Sequence, residues 1–370
     1  MGLAAAAEKS KLGLFYGGYP ITPASDILHT LSAWKHLGIK TFQAEDEIAG
    51  ITSVLGAAFT GDLGITATSG PGIALKGEAM GLAVMAELPI VIINVQRGGP
   101  STGLPTKTEQ SDLMQAMYGR NGEAPVPVLA SATPGDCFFA AYEACRIAVK
   151  YMTPVILLTD GYLANGSEPW QVPKVDDLPD FDVSFADESN LADGQFLSYS
   201  RDKKTLARPW AIPGTPGLEH RIGGIETEDL TGNVSYDPDN HHYMVETRAK
   251  KIDAITNEIA SSEIFGSKSG DLLILSWGGT KGACRSATEA LKADGKKVGH
   301  LHLRWINPFP KDLGEKLIKF KNILIPEINY GQLIKLIRAE FLVDAQGLNQ
   351  VRGKPISSAD IQEASNKLIG

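Results

Sequence analysis

Residues 88–99 read Leu-Pro-Ile-Val-Ile-Ile-Asn-Val-Gln-Arg-Gly-Gly. The run Ile90–Val95 is almost unbroken in its apolar character, so the strand it forms must be covered on both faces, as in a parallel sheet sandwiched between helices. Four further runs, Leu12–Tyr16, Ile65–Ala67, Val126–Ala130 and Val155–Thr159, alternate with Ala- and Gly-rich helical stretches. That alternation predicts a parallel α/β sheet over residues 1 to about 165.

Outward from this unit the pattern changes twice. Between Pro169 and Asn240 it dissolves into Pro, Asp and Gly without periodicity, and an irregular stretch of that length is usually functional or wraps a neighbour. A charged helix over Met244–Ser262 and a Gly-Ser-Lys break at Gly266–Gly270 then mark a boundary. From Asp271 the run DLLILSWGG opens a second, smaller α/β unit, with a helix to about Ala293 and apolar runs at Val298–Leu303 and Asn322–Ile325, enough for four or five strands. The expected division is therefore a first domain over 1–240, a helical linker over 241–270 and a second domain over 271–370. The opening MGLAAAAEKSKLGLF enters a helix and a strand with no lead-in, as though a longer protein continued upstream.

With 370 residues, 43% hydrophobic and 21% charged, the chain can bury two cores. Its net charge of −8 is spread without a Lys/Arg block, which argues against nucleic acid and anionic membrane as partners. Cys137, Cys145 and Cys284 are too few and too scattered for a zinc site or an iron–sulfur cluster, so no metal is expected on this chain. An odd cysteine count without a signal peptide, and apolar runs far shorter than a membrane span, point to the cytoplasm.

Four stretches could carry chemistry. The first, Gly17-Gly18-Tyr19-Pro20-Ile21-Thr22-Pro23, ends a strand with a tight turn and brackets Thr22 between prolines; in an open α/β sheet such a loop lies where ligands bind. In the second, Ile48, Ile51, Val54, Leu55 and Ala58 form one helical stripe, and Glu47 falls on it while Glu45 is turned away. A carboxylate on a buried face is either paired or holds a proton, although an acid near a helix start can also serve only to complement its dipole. The third, Thr66-Ala67-Thr68-Ser69-Gly70-Pro71-Gly72, has the strand, glycine turn and helix of an anion cradle, but Leu75, Glu78 and Ala79 break the nucleotide fingerprints. The fourth is Arg97, at a strand's carboxyl end before flexible glycines, suited to a bidentate grip on a carboxylate or equally to a surface loop. Thr22, Glu47 and Arg97 converge on one edge of one sheet, which favours a site.

GGYPITPASDI, QAEDEIAGITSVLGAAFTG, TATSGPG, RGGPSTGLPTKTEQSDL and PEINYGQL resemble the α subunits of 2-oxoacid:ferredoxin oxidoreductases, from about residue 12 to the end. The resemblance implies a pyrimidine-binding domain for thiamine diphosphate, followed by a domain like the third of transketolase. It implies that Glu47 is catalytic, hydrogen-bonding N1′ of the aminopyrimidine. Glu45 is the competing choice, and the spacing to Gly56-Ala57 together with the stripe favours Glu47. It further implies that Tyr19, Pro20 and Ile21 join Glu47 around the cofactor, and that Thr22, Arg97, Ser101 and Thr102 hold the substrate. No GDG followed by a distant Asn-Asn occurs, so the resemblance assigns the diphosphate, its Mg²⁺ and a [4Fe–4S] cluster to a β subunit. The other partners it implies are coenzyme A as co-substrate, ferredoxin, a γ domain or chain, and a second αβ unit. GPSTGLPTKTEQSDL is similar to the 2-oxoglutarate branch. Pyruvate and branched-chain enzymes share the YPITP loop, and a non-catalytic scaffold is the alternative of another kind.

Overall fold

The alternating residues of the strand Ile90–Gln96 part company in the folded chain. Ile90 and Ile92 enter one buried cluster with Ile51, Val54 and Met80, while Val91, Ile93 and Val95 enter another with Tyr142, Ile147 and Leu157. Both faces of the strand are thus dry, as its composition requires.

In the computed structural model, which describes residues 1–370, the strands are β1 (Leu14–Gly18), β2 (Lys40–Gln43), β3 (Leu63–Thr68), β4 (Ile90–Gln96), β5 (Val128–Ala130), β6 (Val155–Asp160), the small hairpin β7 (Leu191–Ala192) and β8 (Gln195–Phe196), β9 (Ile264–Gly266), β10 (Gly270–Trp277), β11 (Val298–Leu303), β12 (Trp305–Asn307), β13 (Phe320–Glu327) and β14 (Ala345–Asn349). The first sheet runs β12-β5-β6-β4-β3-β1-β2 and the second β14-β13-β10-β11-β9. Pairing is parallel throughout except where β12 meets β5 and β9 meets β11.

Three features depart from the sequence reading. β2 is an edge strand of Lys-Thr-Phe-Gln with no buried residue, so it has no apolar run to announce it. The helix expected over Met244–Ser262 runs instead from Pro238, capped by the Asp237 side chain on the Asn240 N–H, to Ala254. The span 241–270 is not purely a linker, because β9 within it adds to the second sheet, and β12 from the second domain extends the first. The two domains also share one core, in which Leu273, Leu275 and Trp277 join Ile73 and Ile92.

The irregular stretch after residue 169 is held against the first domain by a buried carboxylate. Glu87 ends the helix Gly77–Ala86 in a left-handed conformation with φ 50°. Its oxygens accept from Arg201 Nη1 and Nη2 at 2.7 and 2.6 Å and from the Lys251 ammonium. Burial alone would raise its proton affinity, but the Lys251 and Arg201 charges hold the carboxyl down to about 2. Arg208 Nε donates to the Ala86 carbonyl at 2.9 Å and Trp210 Nε1 to that of Ala58 at 3.0 Å, so the wrap is pinned through its side chains where its backbone forms almost no sheet. Glu87→Gln leaves two buried cations without a counter-charge. The expected cost is about 3–5 kcal/mol, read as a lower urea midpoint with earlier proteolysis between residues 169 and 240.

Candidate active site

From β1 the chain passes to β2 on one side and, by way of the helix Glu47–Phe59, to β3 on the other. The loops leaving β1 and β3 therefore diverge, and it is outside the carboxyl ends of strands at such a switch point that open α/β sheets bind ligands. Glycines draw the intervening helix onto that edge. A Cβ on Gly50 would stand 3.1 Å from the Gly18 Cα, and one on Gly17 would stand 2.4 Å from Ser53 Oγ.

Glu47 is the first residue of this helix and is 9% exposed, whereas Glu45 is on the surface. Asp46 caps the helix, accepting from the Ala49 N–H at 2.7 Å, so the two neighbouring acids have separate tasks. The expected stripe holds at Ile51, Val54, Leu55 and Ala58 but not at Ile48, which is 50% exposed at the helix start. Beside Glu47 lies the turn after β3. A Cβ on Gly72 would meet Thr68 Oγ1 at 1.9 Å and Glu47 Cγ at 3.1 Å, so only glycine lets this turn close against the carboxylate-bearing residue.

Arg97 leaves β4 buried, at 6% exposure. Its Nη1 donates to the Thr22 carbonyl at 2.6 Å, and its own carbonyl accepts from Ser111 Oγ at 2.7 Å. Nε is buried without a partner. Thr22 and Arg97 are therefore brought together, through the threonine's main chain and not its hydroxyl. Asp112 stands nearby, accepting from Asn94 Nδ2 at 3.0 Å; burial raises its proton affinity while Arg97 opposes the rise. Its carboxylate oxygens lie 2.9 and 3.0 Å from where a Gly70 Cβ would be. Tyr19 is 41% exposed at the rim, with Pro20 and Ile21 half-buried behind it. Ser101 and Thr102 are exposed on the loop beyond Gly99 and make no hydrogen bond to Thr22, Arg97 or Glu47.

Two features escape the sequence reading. Lys76 is fully buried and donates to the Glu47 carbonyl at 2.7 Å, and no periodicity marks it. Gln110 joins the domains: its Oε1 accepts from the Ile328 N–H at 3.0 Å, its Nε2 donates to the Trp277 carbonyl at 2.8 Å, and its carbonyl accepts from Asn329 Nδ2 at 2.9 Å. Across the joint, buried Glu327 accepts from Trp277 Nε1, Asn329 Nδ2 and the Leu333 N–H. TEQSDL and PEINYGQL, conspicuous as motifs, are the two faces of this joint.

A family model described as pyruvate flavodoxin/ferredoxin oxidoreductase, thiamine diphosphate-binding, matches residues 9–236, and one described as pyruvate:ferredoxin oxidoreductase core domain II matches 270–361. The 2-oxoglutarate oxidoreductase subunit KorA of Mycobacterium tuberculosis is 54% identical over 354 residues, covering 95% of this chain and 53% of that protein. The 2-oxoglutarate synthase subunit KorA of Archaeoglobus fulgidus is 34% identical, covering 87% and 84%. The structure of 2-oxoglutarate:ferredoxin oxidoreductase from Magnetococcus marinus, with 2-oxoglutarate, coenzyme A and succinyl-CoA bound, superposes with a TM-score of 0.93 at 35% identity over 100% of this chain and 64% of that one. A split-gene transketolase shares the fold at a TM-score of 0.53 and 12% identity. The chain spans about half the length of the Mycobacterium relative.

Fold and site together define a two-domain α/β protein of the thiamine diphosphate-binding kind, its second domain like the C-terminal domain of transketolase. More narrowly, the chain belongs to the pyruvate flavodoxin/ferredoxin oxidoreductase family.

Gln110→Ala removes the acceptor of the buried Ile328 N–H, while the Trp277 carbonyl keeps its bond from Thr280 Oγ1. One unsatisfied group costs about 1–3 kcal/mol. A urea midpoint lowered to that extent is expected, and an unchanged midpoint would mean that the joint does not depend on this side chain.

Proposed function

We propose that this chain is the cofactor-activating α subunit of a 2-oxoglutarate:ferredoxin oxidoreductase, which joins 2-oxoglutarate and coenzyme A to give succinyl-CoA and CO2, passing two electrons to ferredoxin, and which also runs in reverse. The observation that carries the reading is the presence, at the carboxyl edge of one sheet, of a buried carboxylate at Glu47 and a buried guanidinium at Arg97 bonded to the YPITP loop. The ligands and names of the Magnetococcus and Mycobacterium relatives support 2-oxoglutarate as the substrate.

The residues present suit thiamine diphosphate. The turn at Gly72 closes beside Glu47 without a side chain in the way, and Tyr19, Pro20 and Ile21 line the rim on the β1 side. These residues would hold the aminopyrimidine, with Glu47 sharing a proton at N1′. When bound, the cofactor supplies the electron sink for decarboxylation. Arg97, with Thr22 as its brace, would grip the substrate's 1-carboxylate and so contribute orientation. Its unpaired Nε is a donor that such a ligand can satisfy. Ser101 and Thr102, exposed on the glycine-flanked loop beyond, would contact the bound oxoacid. The diphosphate, Mg²⁺ and a [4Fe–4S] cluster are assigned to a β subunit, with a γ domain or chain and a paired αβ unit completing the assembly in the cytoplasm.

In the enzyme assembled with its β subunit, Glu47→Gln is expected to keep its circular dichroism spectrum and melting temperature but to lose at least about 10²-fold in dye reduction driven by 2-oxoglutarate. Arg97→Met is expected to act mainly on KM. Turnover like wild type in Glu47→Gln would overturn the reading in favour of a scaffold, and a panel with pyruvate and 2-oxoisovalerate tests the substrate.

A further inference from the structure

Lys76 follows the helix Gly70–Leu75 and has no exposed surface. An ammonium has three donors, yet the hydrogen bond to the Glu47 carbonyl at 2.7 Å is the one this group makes. The contrast with the other fully buried lysine site is informative. Lys251 faces the Glu87 carboxylate directly, in an ion pair that fastens the wrap. Lys76 has no salt bridge, and the carboxylates whose charges reach it are Glu47 and Asp46, both at the start of the helix Glu47–Phe59. That placement is unfavourable as architecture, because a helix N-terminus repels a cation and a buried charge without a close partner is costly.

We propose that Lys76 is a positioning residue for cofactor activation, its buried charge stabilising negative charge on Glu47 while its hydrogen bond fixes the turn from which that side chain projects. The proposal rests on the reading of Glu47 as the group at N1′. A proton shared between Glu47 and a pyrimidine nitrogen leaves negative charge on the carboxylate. The Asp46 carboxylate, next in sequence at the helix cap, opposes that charge, and Lys76 offsets it. Burial lowers the ammonium's proton affinity, the Glu47 and Asp46 carboxylates oppose the fall, and the balance leaves it at about 8, so the cation predominates at neutral pH.

The test uses the assembled αβ enzyme loaded with thiamine diphosphate and Mg²⁺, without substrate. Three quantities are read: the rate at which the thiazolium C2 proton is replaced by solvent deuterium, followed by NMR after acid quench; the cofactor Kd; and the melting temperature. In Lys76→Met the expected exchange rate is lower by about tenfold, the loss expected when a buried cation near a proton-sharing carboxylate is removed. The melting temperature should stay level or rise, because an apolar side chain of similar volume replaces a buried charge. Lys76→Gln, which keeps a donor but no charge, should resemble Lys76→Met and carries the test if the Met variant does not assemble. Wild-type exchange in either variant overturns the proposal, as does a loss of exchange that merely follows weaker cofactor binding and a lower melting temperature. Glu47→Gln in the same assay separates the two layers. If it does not slow exchange, the reading of Glu47 fails; if it does and the Lys76 variants do not, only the role of Lys76 falls.

Discussion

The placement of Arg97 depends on the hydrogen bonds of a glutamine more than ten residues further along the chain. Gln110 is tied to Ile328, Asn329 and Trp277 of the second domain. The next two residues reach back to the site: Ser111 Oγ donates to the Arg97 carbonyl at 2.7 Å, and the Asp112 N–H donates to Gln96 Oε1 at 3.1 Å. The segment from Arg97 to Asp112 is thus a loop whose far end is clamped in the interdomain joint and whose near end carries the guanidinium. A loop clamped at both ends loses little further entropy when a ligand binds. The second domain, which contributes none of the expected site residues, contributes their rigidity.

Buried charge is handled in two different ways in this chain. At Glu87 the carboxylate meets both Arg201 and Lys251 within hydrogen-bond range. At the sheet edge Glu47, Lys76, Arg97 and Asp112 are all buried as well, but they are incompletely matched: Arg97 Nε has no partner, and Lys76 spends one donor on a main-chain carbonyl. An unsatisfied buried donor costs about 1–3 kcal/mol. Arg201 Nε is unpartnered too, so the difference between the two places lies in the lysines: Lys251 meets a carboxylate, whereas Lys76 meets a main-chain carbonyl.

The legibility of these features in the sequence follows from how each is stabilised. Strand β4 announces itself because its neighbours cover both faces, so every position bears on burial. Glu47 is legible through periodicity, since a carboxylate at a core position conflicts with its neighbours. β2, β9 and β14 are not legible: the first is exposed, the second has three residues, and the third alternates around a glycine. β12 joins the sheet of the other domain, a pairing that no local pattern encodes. Lys76 looks like any lysine after a glycine-rich turn, because what makes it unusual is contact with residues 29 positions away. Ile48 misleads for the converse reason. It is apolar at a helical spacing, yet its surface is open.

The glycines complete the argument about what this edge is for. Gly17, Gly50 and Gly72 are places where a methyl group would collide with Ser53, Gly18 or Thr68, and each lies where a strand end meets the start or the turn of a helix. Around Glu47 this close approach brings two helix starts and the end of β1 together. Packing that tight lowers the freedom of the acid's own backbone, and a group that shares a proton with a bound ring gains from being held before the ring arrives. The same compactness leaves Ile48 and Leu75, each about half exposed, on the outer side of those two helices.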